Sequence, residues 1–211
     1  MRFLVNYPEV VAQLTWQHLQ LVLLPLVLAT LIGLPLGWVL HRSPRLAWGV
    51  LGVLNLIYTI PSLALMIFLI PWLGLNARAV MAALTLYSEI IILRNVLAGL
   101  AGVDAAILEA ARGMGMTRFQ IAWRVQLPLA LPVILTGVRL AAILAIAIAT
   151  IGSKFGAGGL GTLLFEGIAQ AGRMDKVWVG ALGVAILALA FNYGLLWLER
   201  RLTPYRTALP T

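Results

Sequence analysis

Glu89, Arg94 and Arg139 each stand inside an apolar run long enough to cross a bilayer. A charge in the hydrocarbon core costs about 2.5 kcal/mol or more, so each needs a partner, a route to the interface or a function. Glu89 and Arg94 lie about 140° apart around an ideal helix and do not pair on one element. Arg94 is close enough to a run end to snorkel. Arg139 is deeper, and two readings of Glu89 stand open: an ion pair with Arg139 between neighbouring spans, or a carboxylate facing a path that favours a cationic group. Tyr58, Thr59, Pro61 and Ser62 on one run, with Tyr87 and Ser88 on the next, offer aromatic faces and hydroxyls to line such a path. An aromatic face attracts a quaternary ammonium group by roughly 0.5 to 2 kcal/mol, although the same residues also serve plain packing.

Other chemistry is weaker or excluded. Gly156, Gly158 and Gly161 match G-x-G-x-x-G, with Asp175 near the distance of a ribose-binding acid. The segment follows a membrane-length apolar run without a strand-helix-strand unit, so a dinucleotide site is rejected. Gly156, Gly158, Gly159 and Gly161 then read either as a mobile gate on the outer side or as a flexible connection. No G-x-x-x-x-G-K-[ST] loop occurs, and the spans hold no Ser-His, paired-Asp or H-E-x-x-H arrangement, so we assign no catalytic, metal or cofactor residue. Cysteine is absent, which excludes disulfides and thiolate metal sites. His18 reads as an interfacial residue rather than a ligand.

The elements that must position these residues are membrane helices. Among 211 residues, 62% are hydrophobic and 10% charged, with a mean hydropathy of +1.01. About 20 apolar residues cross the hydrocarbon core as a helix. Five runs qualify: 19–40, 46 to about 69 with a kink at Pro61 and a stop at Pro71, 79–98, 129–151 and 177–198. Ahead of them, residues 1–18 read as an extracytoplasmic interfacial helix capped by Asn6. Residues 19–201 form the membrane domain, and 202–211 a cytoplasmic tail. Trp16, Trp38, Trp48, Trp72, Trp178 and Trp197 fall near run ends and suit the interfacial belt. The formal charge of +8 comes from scattered basic residues at helix ends, which reads as topology and not as nucleic-acid binding. Arg42, Arg45, Arg112, Arg118, Arg124, Arg200, Arg201 and Arg206 lie on one side, against Arg2, Arg78, Lys154, Arg173 and Lys176 on the other. The positive-inside rule then puts the N-terminus outside and the C-terminus in the cytoplasm.

Between the third and fourth runs lies a polar island, the loop 102–128. Asp104 caps a helix of strong helix formers, 105–112, which the Gly113-Met-Gly115 step ends. Thr117 with Gln120 forms a capping box for a second helix. The alanines keep the first helix slim enough to enter a partner's groove. Glu109-Ala110-Ala111, Gly115, and after nine further residues Val125-Gln-Leu-Pro128 resemble the EAA signature of ABC importer permeases, with Val125 where the family has isoleucine. Leu93-Arg-Asn95, Ala98-Gly-Leu100, Gln126 to Pro132 and Ile151 to Gly161 extend the resemblance to permeases of glycine betaine, choline and carnitine, the osmoprotectant branch. Glu89-Ile90 departs from that branch, whose members carry small residues or proline there.

The resemblance implies an all-α polytopic fold of about five transmembrane helices with a cytoplasmic coupling helix between spans three and four, the MetI-like arrangement of type I importers. It implies that Glu109, Ala110, Ala111, Arg112, Gly113, Gly115, Leu127 and Pro128 dock an ATPase. Expected partners are a second permease copy or paralogue, two ATPase subunits that bind ATP and magnesium, and an extracytoplasmic substrate-binding protein, all at a bacterial inner membrane. An importer of methionine or another amino acid, and an autonomous secondary transporter, are the rival readings.

Overall fold

The computed structural model describes residues 2–170 and 172–203, and every regular element among them is helical. The order is α1 (Arg2–Asn6), α2 (Pro8–His41), α3 (Pro44–Thr59), α4 (Ser62–Leu73), α5 (Ala77–Ala101), α6 (Ala105–Gly113), α7 (Arg118–Ile121), α8 (Leu127–Gly152), α9 (Gly161–Ala169) and α10 (Met174–Leu202). A π-helical turn, Ala122–Gln126, joins α7 to α8.

The fold is built around α5, which packs between α2 and α8 and supplies the buried residues Val80, Ala83, Leu84, Ile92, Leu93 and Val96. Membrane helices gain little from burying one another's leucines in preference to lipid, so small residues that permit close approach set the contacts. At Gly37 on α2 a Cβ would overlap Val96, and at Gly137 on α8 it would overlap Asn95. α10 is the least enclosed long helix, burying only Lys176, Val179, Gly180 and Glu199.

Several expectations change. Residues 1–18 are not a separate interfacial unit. Asn6 ends α1 instead of capping a helix, and α2 starts at Pro8 behind Tyr7, which makes no side-chain cap, then runs unbroken for 34 residues. Proline's fixed φ suits the first helical turn, which is why Pro8 opens the helix. Pro25 and Pro35 lie within it without ending it. His18 is fully buried, not interfacial. The run 46–69 is not one kinked helix: α3 and α4 meet at 99° across Ile60-Pro61. Proline disfavours helical backbone at the residue before it, and Ile60 is extended (φ −69°, ψ 128°). Pro71 sits inside α4, and the helix stops instead at Gly74, whose φ of +81° suits glycine. Among the described residues, four helices are therefore long and apolar enough to cross a membrane alone, and α3 with α4 passes the same test only as a bent pair, a broken span or a re-entrant loop. Helix α9 was not foreseen. Of the tail 202–211, Leu202 ends α10, while 204–211, including Arg206, lie outside the described residues.

Candidate functional site

The polar island folds as its cap residues require. The Asp104 carboxylate accepts from the Ala106 amide at 2.8 Å and starts α6. The Thr117 hydroxyl accepts from Gln120 N–H at 3.3 Å while Gln120 Oε1 accepts from Thr117 N–H at 2.8 Å, the reciprocal capping box. Between them Gly115 takes φ +78°, a conformation that bulkier residues adopt only at a cost of about 1 to 2 kcal/mol. Ala111 is the buried anchor of α6, with Leu108 half-buried beside it. Glu109, Ala110, Arg112 and Gly113 are exposed, and so is Ile107, which the sequence pattern put on one face with Leu108 and Ala111. α6 thus presents a slim, capped, solvent-facing surface on a rigid seat.

Leu127 and Pro128 behave differently from expectation. Pro128 does not separate the island from the next span. It occupies the first turn of α8, and the π-helical turn lets Arg118–Phe155 run on as one 38-residue helix. Gln126 fixes this junction: its Nε2 donates to the Leu100 carbonyl at 3.4 Å and lies 3.2 Å from His41 Nε2 at the end of α2. π-helical turns recur at functional sites, and nothing in the local sequence pattern announced this one.

The intramembrane charges do not pair as the sequence suggested. Glu89 faces α2, its Oε1 only 3.2 Å from where a Cβ on Gly33 would stand, and neither carboxylate oxygen has a hydrogen-bond partner among the described residues. Arg139 lies instead 4.0 Å from Glu199 on α10. Arg94 donates to the Asn55 side chain on α3. Ser88 and Glu89 are buried within the subunit. Tyr58 and Tyr87 do meet, edge to face at 5.5 Å between centroids, and the Tyr87 hydroxyl donates to the Ile60 carbonyl at the α3–α4 break. Ser62 opens α4 at the same break.

The glycine segment is not slack. Gly156, Gly158 and Gly159 all have positive φ, and Gly161 begins α9. The Gly159 amide donates to Gln17 Oε1 at 3.1 Å, and a Cβ on Gly159 would stand 3.0 Å from His18 Nδ1. Gln17 and His18 thus hold this loop against α2, a role that sequence reasoning missed. Lys176 adds a second tie, donating to Glu166 of α9 at 2.8 Å while its Nζ sits 5.3 Å from the Phe3 ring centroid.

An apolar multi-span helical bundle with an exposed, capped helix between two spans is the architecture of importer permeases, and the comparisons agree. The family described as the binding-protein-dependent transport system inner membrane component matches residues 29–204. The chain belongs to that family. Its members are transport components rather than enzymes. A carnitine transport permease of Listeria monocytogenes is 44% identical over 90% of this chain and 87% of its own length. A choline transport system permease of Bacillus subtilis is 40% identical over 90% and 87%. An osmoprotectant import permease of Salmonella typhimurium is 39% identical over 96% of both chains. Among solved structures, an inward-facing methionine ABC transporter aligns with a TM-score of 0.84 at 23% identity, covering 94% of this chain and 98% of that one. At that identity the likeness establishes the shared permease fold.

Proposed function

We propose that this chain is the permease subunit of an ATP-driven importer of quaternary-amine osmoprotectants of the glycine betaine, choline and carnitine class. It works in a bacterial cytoplasmic membrane, N-terminus outside and C-terminus inside, as one of a pair of permeases. Two ATPase subunits bind ATP and magnesium and dock on α6, while a binding protein delivers substrate from the far side. The observation that carries this reading is α6: a slim helix fixed by its Asp104 cap and Ala111 anchor, exposing Glu109, Ala110, Arg112 and Gly113, in a chain whose relatives are named for these substrates.

ATPase closure moves α6 of both permeases, and the continuous helix from Arg118 carries that motion across the membrane. Such a bundle alternates access by shifting packed elements between discrete arrangements. Tyr58 and Ser62, at the α3–α4 break and backed by Tyr87, line the path, where aromatic faces favour a quaternary ammonium. The glycine segment 156–161 forms the outer gate, held by Gln17 and His18. Ser88 and Glu89 are left out of the path because they face into the subunit.

The test is co-purification of the chain with its cognate ATPase, comparing wild type with Glu109→Ala and Gly115→Trp. Release of the ATPase, or loss of coupling between its hydrolysis and uptake of radiolabelled glycine betaine, is expected. Full ATPase binding and coupled uptake in both variants would overturn the docking role. Uptake with no ATPase at all would turn the reading to an autonomous transporter.

A further inference from the structure

A cavity of about 630 Å³ opens where the last turns of α2, the last turns of α5 and the α7–α8 junction meet. Its floor is apolar: Leu34 of α2, Val96 and Leu100 of α5, and Leu127 at the start of α8. Gly37 lets α2 approach Val96 of α5 closely, and Phe119 of α7 and Trp123 of the π-helical turn form the opposite wall. These two rings contact each other at 6.0 Å between centroids while both stay largely exposed.

The rim carries the information about the occupant. Arg42 and Arg118 both line the cavity at the end where α2 leaves the membrane, Arg42 stacked over Trp38 at 5.4 Å. No acidic side chain lines it, and among the described residues neither guanidinium has a carboxylate partner. The volume falls within the range of small-molecule sites. N-terminal to the cavity on α2, Leu24, Leu28, Leu31 and Ile32 are exposed apolar residues within the membrane-length helix. A water-soluble partner does not reach that depth, and a quaternary-amine substrate is repelled by two guanidinium groups. A molecule with a phosphate at one end and hydrocarbon at the other satisfies both halves.

We infer that this groove is a binding site for one anionic phospholipid, its phosphate held by Arg42 and Arg118 and its acyl chains lying over Leu34 and along the α2 stripe. Arginine suits the task because its planar fork engages two phosphate oxygens at once. Trp38 and Trp123 bracket the headgroup region, where indole rings favour the boundary between hydrocarbon and water. Assigning the site to the inner leaflet rests on the orientation proposed above, whereas the lipid contact itself does not. The groove shares its wall with the α7–α8 junction, so an occupied site braces the segment that carries α6.

The experiment is native mass spectrometry of the full chain released from nanodiscs of equal phosphatidylcholine and phosphatidylglycerol. It needs neither ATPase nor substrate, so its outcome is independent of the transport reading. Wild type should retain one phosphatidylglycerol per chain. Arg42→Gln combined with Arg118→Gln, both at exposed positions, should lower the ratio of retained phosphatidylglycerol to phosphatidylcholine by about thirtyfold, the effect of two arginines near an anionic surface. Arg78→Gln, at the other end of α5, should leave the ratio unchanged. Equal retention in the double variant, or an equal loss in Arg78→Gln, would overturn the site. The cysteine-free chain permits one more check: efficient disulfide cross-linking of Val39→Cys between two copies would show that a second chain covers the groove and would also overturn it.

Discussion

Replacing Glu89 by leucine should make the isolated subunit more stable. The carboxyl group is 6% exposed, both its oxygens lack a hydrogen-bond partner among the described residues, and its neighbours are Gly33 and Ile92. At the centre of a membrane helix an acidic or basic side chain costs about 2.5 to 3.5 kcal/mol, whereas leucine gains about 0.3 to 0.6 kcal/mol. Burial against protein instead of lipid, and slight repacking at Gly33, reduce the difference to about 1 to 3 kcal/mol. For a chain of this size that corresponds to a rise in Tm of roughly 3 to 10 °C. Glu89→Gln should gain less, because its amide also seeks partners that the site lacks. The assay is thermal denaturation of the detergent-solubilised chain followed by size-exclusion chromatography. A fall of several degrees for Glu89→Leu would refute the reasoning, since it would mean that the buried carboxyl group stabilises the isolated chain instead of burdening it.

The loop clasp and the helix cap make smaller, local predictions. Gly159→Ala forces a side chain into φ +83° and against His18, and should destabilise the loop's docking by about 1 to 2 kcal/mol. Gln17→Ala removes the bond to the Gly159 amide and should cost about 1 kcal/mol. Both should appear as faster proteolysis within 156–161, and unchanged cleavage would sink the clasp. Asp104→Ala should cost about 1 kcal/mol of α6 stability, speeding hydrogen exchange at Ala106 several-fold while leaving α5 unaffected.

Features governed by a few adjacent residues were legible in the sequence. The Asp104 cap, the Thr117–Gln120 box and the span around Glu89 all follow from local hydrogen bonding or from continuous apolarity. What depends on which helix packs beside which was not. Nothing within ten residues of Arg139 points to Glu199, and the nearest acid in the neighbouring span was the wrong partner. Pro61 announces a break, yet the 99° angle is set by how α3 and α4 each settle on α5. His18 looked interfacial because its flanking glutamines are polar, but Gln17 spends its polarity on the Gly159 amide and His18 packs, fully buried, beneath the same loop. α9 was hidden because nine residues after a glycine-rich stretch carry too little periodicity to stand out.

The junction of α7 and α8 has a mechanical meaning. At 1.5 Å per residue, the 38 residues from Arg118 to Phe155 reach up to about 57 Å as one unbroken helix. A hinge at Pro128 would have let one face of the membrane move while the other lagged, absorbing work as bending. An unbroken helix gives the two faces one shared element, so a displacement at the base of α7 has a direct covalent route to the glycine loop.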